Sequence, residues 1–165
     1  MSFHDLSFID IDGNKVSFGK FKGSVSVVIN VASNWGYTKA RYGQLVQLHK
    51  EKYPDVEIIA FPSLQFGAQE FDNHAEIKKF VETNFAFHKD GFNMMSLSDV
   101  NGDNTNEVYQ WLKSKTNDKP IQWNFSTVFL VDPNGTSHVY PPILLKYKYH
   151  IYILTKYIYT TKQVK

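Results

Sequence analysis

The chain of 165 residues contains no cysteine. A disulfide, a cysteine-ligated zinc site, an iron–sulfur cluster and a thiol nucleophile are therefore excluded for the chain as written. The six histidines show no spacing typical of metal ligands. No apolar run approaches the roughly 18 residues that a membrane-spanning helix needs, and the first residues have no signal-peptide pattern. We therefore expect a cytoplasmic protein that does not span a membrane.

Charge is nearly balanced but unevenly distributed. The formal net charge is +2, the last acidic residue is Asp132, and five lysines follow it. The 18 basic side chains of the chain thus leave 13 for residues 1–132, against 16 acidic ones, which is a net charge of −3. Such a surface does not favour nucleic acid, so we predict no nucleic-acid partner.

Two regions of different character are predicted. A hydrophobic content of 42% supports one packed domain over residues 1–140. Residues 141–165 are dominated by Lys, Tyr, Ile, Leu and Thr and have no clean periodicity. This atypical tail has three interpretations: an exposed extension, the translation of AT-rich DNA past an exon boundary, or a segment that binds a membrane surface or a partner. Sequencing the 3′ end of the transcript tests the second, which a continuous exon shared with the body would contradict.

Hydrophobic periodicity in residues 1–140 predicts an α/β domain with a central mixed β-sheet flanked by helices. Asp12 and Gly13 favour a tight turn, which predicts an N-terminal β-hairpin. The predicted strands cover residues 6–10, 15–18, 24–31, 56–61, 128–131 and 136–140. The predicted helices cover residues 38–53, 73–85 and 107–115, and the second begins with the capping pair Asn73 and Glu76.

The most informative segment is residues 30–38, Asn-Val-Ala-Ser-Asn-Trp-Gly-Tyr-Thr, with Trp35 in its middle. It links a buried strand to a helix. A loop at a helix N-terminus stabilises an anion, because the backbone N–H groups and the helix dipole point towards it. In redox proteins of the thioredoxin type, a cysteine thiolate of low pKa lies at this place.

Two further segments follow along the chain. Residues 59–70 read Ile-Ala-Phe-Pro-Ser-Leu-Gln-Phe-Gly-Ala-Gln-Glu, and residues 122–125 read Gln-Trp-Asn-Phe. Taken in order, the three segments resemble motifs of the glutathione peroxidase family, and the resemblance runs over about residues 3–140. It implies a thioredoxin-like fold. It also implies reduction of hydrogen peroxide or of organic and lipid hydroperoxides by a thiol such as glutathione, in defence against oxidative stress and without a bound cofactor.

The resemblance implies the site residues as well. Trp35 stands where the family has selenocysteine or cysteine, and Gln69, Trp123 and Asn124 correspond to the rest of its catalytic tetrad. These three neutral side chains offer N–H donors, which stabilise a thiolate or selenolate without a permanent positive charge. Simpler roles also remain open for each: a solvated loop residue for Gln69, a core aromatic for Trp123 and a turn former for Asn124.

The chain departs from the family pattern in several places. An indole at position 35 forms no thiolate and no sulfenic or selenenic acid. Ser63 and Leu64 stand where many members have cysteine and asparagine, and one residue more than usual separates Trp123 from Phe129. The resolving cysteine of cysteine-type members is missing too, which excludes a two-cysteine cycle for this chain.

Three hypotheses account for Trp35. The first, which we favour, is a selenoperoxidase whose UGA codon is printed as tryptophan; a UGG codon at position 35 would contradict it. The second is a genuine tryptophan in a peroxidase-like pseudoenzyme that acts by binding or regulation. The third is an engineered inactive variant. The sequence leaves the preferred hydroperoxide, the physiological reductant and the oligomeric state undetermined.

Overall fold

The computed structural model describes residues 1–85 and 91–140, so the tail predicted for residues 141–165 lies outside the described residues and the boundary at 140 stays a prediction. The described strands β1–β7 span Ser7–Ile9, Lys15–Ser17, Ser26–Val31, Glu57–Pro62, Phe92–Met94, Val128–Val131 and Ser137–Tyr140. The described α-helices α1–α3 span Thr38–Gln47, His74–Phe85 and Glu107–Ser114. None of the helices within the described ranges is long and apolar enough to cross a membrane.

The N-terminal hairpin is confirmed. β1 and β2 pair antiparallel as a separate two-stranded sheet, with Ile9 opposite Lys15. The connecting loop is closed by a hydrogen bond from the Gly13 N–H to the Asp10 carbonyl, 3.0 Å long. Gly13 has a φ of +84°, a conformation that glycine adopts without the steric cost of a Cβ.

The central mixed sheet is confirmed as well. Its strand order is β5-β4-β3-β6-β7. β3, β4 and β5 run parallel, whereas β6 is antiparallel to β3 and β7 is antiparallel to β6. The sequence prediction lacks the edge strand β5, because its three residues are too few to show a periodic pattern.

The two faces of this sheet carry separate hydrophobic cores. All six residues of β3 are buried, and their side chains alternate between the faces. Val27 and Ile29 pack in a core that contains the apolar residues of α1 and α2. Val28 packs in the other core, which contains the apolar residues of α3 and three phenylalanines from the N-terminal segment. The domain therefore has three layers.

The first predicted helix is present, but its last turn is not α-helical. The sequence predicts a helix over residues 38–53, but α1 ends at Gln47 and a π-helical turn spans Leu48–Lys52. In this wider turn the Tyr53 N–H donates to the Leu48 carbonyl at 2.9 Å, and Nδ1 of the buried His49 lies 2.8 Å from the Val56 carbonyl oxygen. Apolar spacings of three and four residues do not distinguish an α-turn from such a π-turn, so the sequence predicts the extent of the helix but not the type of its last turn.

The topology brings the three motifs to one end of the sheet. β3 and β4 are parallel neighbours, so their carboxyl ends lie at the same end of the sheet. Residues 32–37 and 63–70 follow the two strands there. β6 runs the other way, and the pairing of Ile29 with Val128 places the start of β6 at this same end. Residues 122–126 lead into β6 there. Open α/β sheets place their ligand sites at the carboxyl ends of parallel strands.

Candidate active site

The loop that carries Trp35 is held by the first residue of α1. The Thr38 hydroxyl donates to the Ala32 carbonyl at 2.7 Å and accepts from the Trp35 N–H at 3.1 Å. The Thr38 N–H donates in turn to the Trp35 carbonyl at 3.0 Å. These three bonds close residues 32–38 into a compact loop and fix position 35 just before the helix.

The N-terminus of α1 is electrostatically open. Its N-cap residue, Tyr37, makes no side-chain capping bond, and the first turn contains no acidic residue. The first N–H groups of a helix lack partners within the helix, and the macrodipole adds a partial positive charge at this end. The loop-to-helix arrangement that the sequence predicts is therefore present, and its anion-stabilising role stays a prediction.

Gln69 and Asn124 meet directly across the site. Asn124 Nδ2 donates to Gln69 Oε1 at 2.8 Å, although 55 residues separate the two along the chain. Gln69 also accepts at its backbone carbonyl from the Asn34 N–H, at 2.8 Å. This second bond ties the amide pair to the residue preceding Trp35. The oxygen of Gln69 is used by Asn124, so its amide nitrogen is left as a donor.

Trp123 lies beside this pair without bonding to it. Its indole is 42% exposed, and within the described ranges the indole N–H meets no acceptor. The ring packs on Phe66 with centroids 5.8 Å apart. A Cβ added to Gly67 would lie 3.5 Å from both the Trp123 ring and the Gln69 side chain, so a glycine with φ +66° separates the two. Trp123 is therefore a surface aromatic at the rim of the site and not a core residue.

Trp35 fills its position as a packed aromatic residue. Its half-buried ring stacks on Phe125, the residue after Asn124, with centroids 5.8 Å apart and an interplanar angle of 17°. It also meets the exposed Tyr37 ring edge-on at 5.2 Å. The site thus combines two amides and a helix N-terminus with an indole that cannot act as a nucleophile.

A buried carboxyl, Glu70, bonds to the loop that carries Trp35. Its Oε1 accepts from the Ser33 N–H at 3.1 Å and from the Phe71 N–H at 2.9 Å. Among the described residues, Oε2 has no hydrogen-bond partner. Burial raises the pKa of Glu70 from its ordinary 4.5 to about 7, while its hydrogen bonds lower the pKa in part. Burial also raises the pKa of the Tyr42 hydroxyl on α1, and the Glu70 charge adds to this effect.

Comparison with known proteins assigns the family. The family model for glutathione peroxidase matches residues 3–113, a range that contains Trp35 and Gln69. The chain belongs to the glutathione peroxidase family. The matched range ends before Trp123 and Asn124, which the structure places at the same edge of the sheet as the matched motifs.

Relatives within the glutathione peroxidase family share more than two fifths of their aligned residues with the chain. A phospholipid hydroperoxide glutathione peroxidase of Callithrix jacchus is 43% identical over 141 residues, which cover 81% of this chain and 68% of the relative. A chloroplastic phospholipid hydroperoxide glutathione peroxidase 1 of Arabidopsis thaliana is 42% identical over 144 residues. That match covers 84% of this chain but only 59% of the relative, so the chain spans about three fifths of the Arabidopsis protein.

Solved structures agree with the thioredoxin-like fold. A crystal structure described as Trgpx in its apo form superposes with a TM-score of 0.67 at 28% identity, covering 98% of this chain and 96% of that one. The thioredoxin domain of a thiol-disulfide oxidoreductase from Bacteroides vulgatus superposes with a TM-score of 0.53 at 19% identity. It covers 80% of this chain and 79% of that one, and at this identity it shows the fold alone.

The structure therefore brings together the side chains of Gln69 and Asn124 and places Trp123 beside them. Trp35 is linked to this pair by the stacking of its ring on Phe125 and by the bond of the preceding residue, Asn34, to the Gln69 carbonyl. The catalytic roles of these residues stay predictions. Sequence reasoning did not single out Glu70 for a role. Its signal was its place directly after Gln69 in the second motif.

Proposed function

We propose that this glutathione peroxidase site reduces hydroperoxides, including lipid hydroperoxides, at the expense of a thiol. The observation that carries the proposal is the bond between the Asn124 and Gln69 amides, at the edge of the sheet where the uncapped N-terminus of α1 begins. Two amides and a helix N-terminus stabilise a developing anion without a permanently charged positive side chain. The relatives named for phospholipid hydroperoxides support the substrate class. The cytoplasmic location and the lack of a bound cofactor stay predictions.

The proposed cycle needs a chalcogen at position 35. A selenolate or thiolate there attacks one oxygen of the hydroperoxide; the O–O bond breaks, the alcohol leaves after taking a proton, and a selenenic or sulfenic acid forms. One thiol then displaces water from this acid. A second thiol attacks the mixed species, releasing the disulfide and restoring the anion. The hydroperoxide is reduced by two electrons and two thiols supply them.

The nucleotide triplet at position 35 tests the reading of this residue. We propose that the triplet is UGA and that the active protein carries selenocysteine. The amide pair and the free helix N-terminus remain arranged for an anion that an indole cannot provide. A UGG codon in the gene would contradict the selenocysteine assignment.

A Trp35→Cys variant tests the site itself. We expect peroxide reduction with glutathione to rise at least about 100-fold above the protein with tryptophan, because the thiolate supplies the nucleophile that the indole lacks and the amide pair stabilises it. The introduced thiol should titrate about 1 pKa unit or more below the ordinary value of about 8.5, because the helix N-terminus favours its anion. Peroxide consumption and thiolate absorbance measure the two effects.

The matched control is Trp35→Ser, which leaves a similar space without a thiolate and should stay inactive. A folded Trp35→Cys protein with an ordinary thiol pKa and no activity would contradict the proposed function. A second function, a pseudoenzyme that acts by binding, stays an alternative prediction from the sequence. Thiol-dependent peroxide reduction by protein verified to contain Trp35 would reject that second function.

A further inference from the structure

A polar residue interrupts the most buried strand of the sheet. β3 is buried along its whole length, and Asn30 within it is 0% exposed. An amide in such a place costs free energy unless it is hydrogen-bonded, and an apolar side chain would avoid that cost. Within the described residues, Asn30 Oδ1 has no partner, so packing alone does not explain the choice of asparagine.

Asn30 holds the segment that carries Asn124 on both sides. Its Nδ2 donates to the Trp123 carbonyl at 3.0 Å. Its own backbone carbonyl accepts from the Phe125 N–H, also at 3.0 Å. The residues before and after Asn124 are thus fastened to the same residue of the central strand, and Asn124 lies between the two attachments.

The fastened segment is a strained β-turn. The Ser126 N–H donates to the Trp123 carbonyl at 3.2 Å, and the Trp123 N–H donates to the Ser126 hydroxyl at 3.0 Å. Phe125, at the third position of this turn, has a φ of 55°, which is unfavourable for a side chain with a Cβ. Such a conformation persists only where the surroundings hold it, and the two bonds to Asn30 supply external restraint.

We propose that Asn30 is a positioning residue that aims the Asn124 amide at Gln69. The inference rests on the proposed function, because it assigns Asn30 to the same anion site. Asn30 bonds to the turn and not to position 35, so it acts on the site through Asn124. Loss of its Nδ2 donor frees the Trp123 carbonyl from the strand, and the turn then relaxes away from the geometry that brings Asn124 Nδ2 to Gln69 Oε1.

The first test uses the chain with Trp35 in place, so it does not depend on catalysis. Asn30→Leu is compared with Asn93→Leu, a control in the outer strand β5. The Nδ2 of Asn93 also donates to a main-chain carbonyl, that of Ile58 at 3.2 Å, besides the Glu57 carboxylate at 2.9 Å. We expect the side-chain amide protons of Asn124 to exchange with solvent at least about tenfold faster in Asn30→Leu, with the control unchanged. Proton–nitrogen NMR spectra measure the exchange, and circular dichroism verifies folding.

Unchanged Asn124 amide exchange in a folded Asn30→Leu protein would overturn the inference. If that variant does not fold, Asn30→Ser replaces it, because the serine hydroxyl is too short to reach the Trp123 carbonyl. The same two outcomes apply to it.

A second readout separates positioning from general stability. In the Trp35→Cys background, Asn30→Leu should raise the pKa of the introduced thiol by about half a unit or more, whereas Asn93→Leu should not. An equal shift in both variants means that Asn30 is only structural and overturns the inference. An ordinary thiol pKa in Trp35→Cys itself counts against the proposed function, whereas the exchange test in the Trp35 chain decides on Asn30 separately.

Discussion

The N-termini of α1 and α3 are built in opposite ways. At α3, Asn106 has extended backbone angles and its side chain accepts from the Tyr109 N–H at 2.9 Å, with Glu107 in the first turn. At α1, the N-cap Tyr37 makes no side-chain bond and no acidic residue follows. The Thr38 hydroxyl donates to the Ala32 carbonyl in the preceding loop and does not cap the helix. The N-terminus of α3 therefore has a side-chain cap and an acidic first turn, whereas that of α1 has neither.

Under the proposed function, this difference separates a structural helix end from one that faces an anion. A side-chain N-cap contributes about 1 kcal/mol, and α1 forgoes that contribution at the site. The carboxyl that contacts the loop before α1 is Glu70, which is buried and bonded to the Ser33 N–H. Glu107, in contrast, is exposed in the first turn of α3. Burial raises the pKa of Glu70, which weakens the tendency of this carboxyl to carry a negative charge beside the N-terminus of α1.

Replacing the buried carboxyl should give the largest effect. The folded-state pKa of Glu70 is raised to about 7 from 4.5, so the folded state binds the proton more tightly than the unfolded chain does. Glu70 therefore lowers stability as pH rises from about 4.5 to 7, by about 3 kcal/mol in all. Glu70→Gln should remove this loss. Chemical denaturation gives the free energy of unfolding of the variant and of the unsubstituted chain at pH 4 and at pH 8, and the gap between the two proteins should change between these pH values.

The control for this prediction is Glu82→Gln, which removes an exposed carboxylate from α2 with the same change in net charge. Its pH dependence is subtracted from that of Glu70→Gln. Parallel stability curves for the two variants between pH 4 and pH 8 would mean that Glu70 is not held neutral by burial.

Much of this fold was predictable from the sequence, because the buried strands are continuous apolar runs and the capping pair Asn73 and Glu76 marks the start of α2. The contact between Gln69 and Asn124 was available only through resemblance to a family, since no local pattern links residues 55 positions apart. The role of Asn30 was not predictable at all. A polar residue within an apolar run does not reveal which carbonyl its side chain reaches, and that depends on the pairing of β3 with β6.

Removing the cap of α3 should have a smaller effect. Asn106→Ala loses the acceptor for the Tyr109 N–H, which costs about 1 kcal/mol, and also loses the Nδ2 bond to the Asp99 carbonyl at 3.0 Å. Asn106→Asp keeps the capping acceptor, loses the donor and adds a negative charge at the positive end of the helix. The difference in the free energy of unfolding between the two variants therefore reports the cap together with this charge. Equal losses for alanine and aspartate would show that α3 does not depend on its cap and would remove the contrast with α1.

The smallest effect should come from adding charge to the open end. In the Trp35→Cys background, Tyr37→Asp places a carboxylate at the N-terminus of α1 on a side chain that is 67% exposed in the unsubstituted chain. Interaction with the helix dipole is worth about 0.5 kcal/mol at such a position, so the helix gains slightly while the introduced thiolate at position 35 is repelled. We expect the thiol pKa to rise by about half a unit relative to Tyr37→Asn, the neutral control of the same shape, and the rise to shrink as ionic strength increases. If aspartate and asparagine give the same thiol pKa at low salt, a charge placed at the N-terminus of α1 does not act on position 35, which would count against an electrostatic role of this helix end in the site.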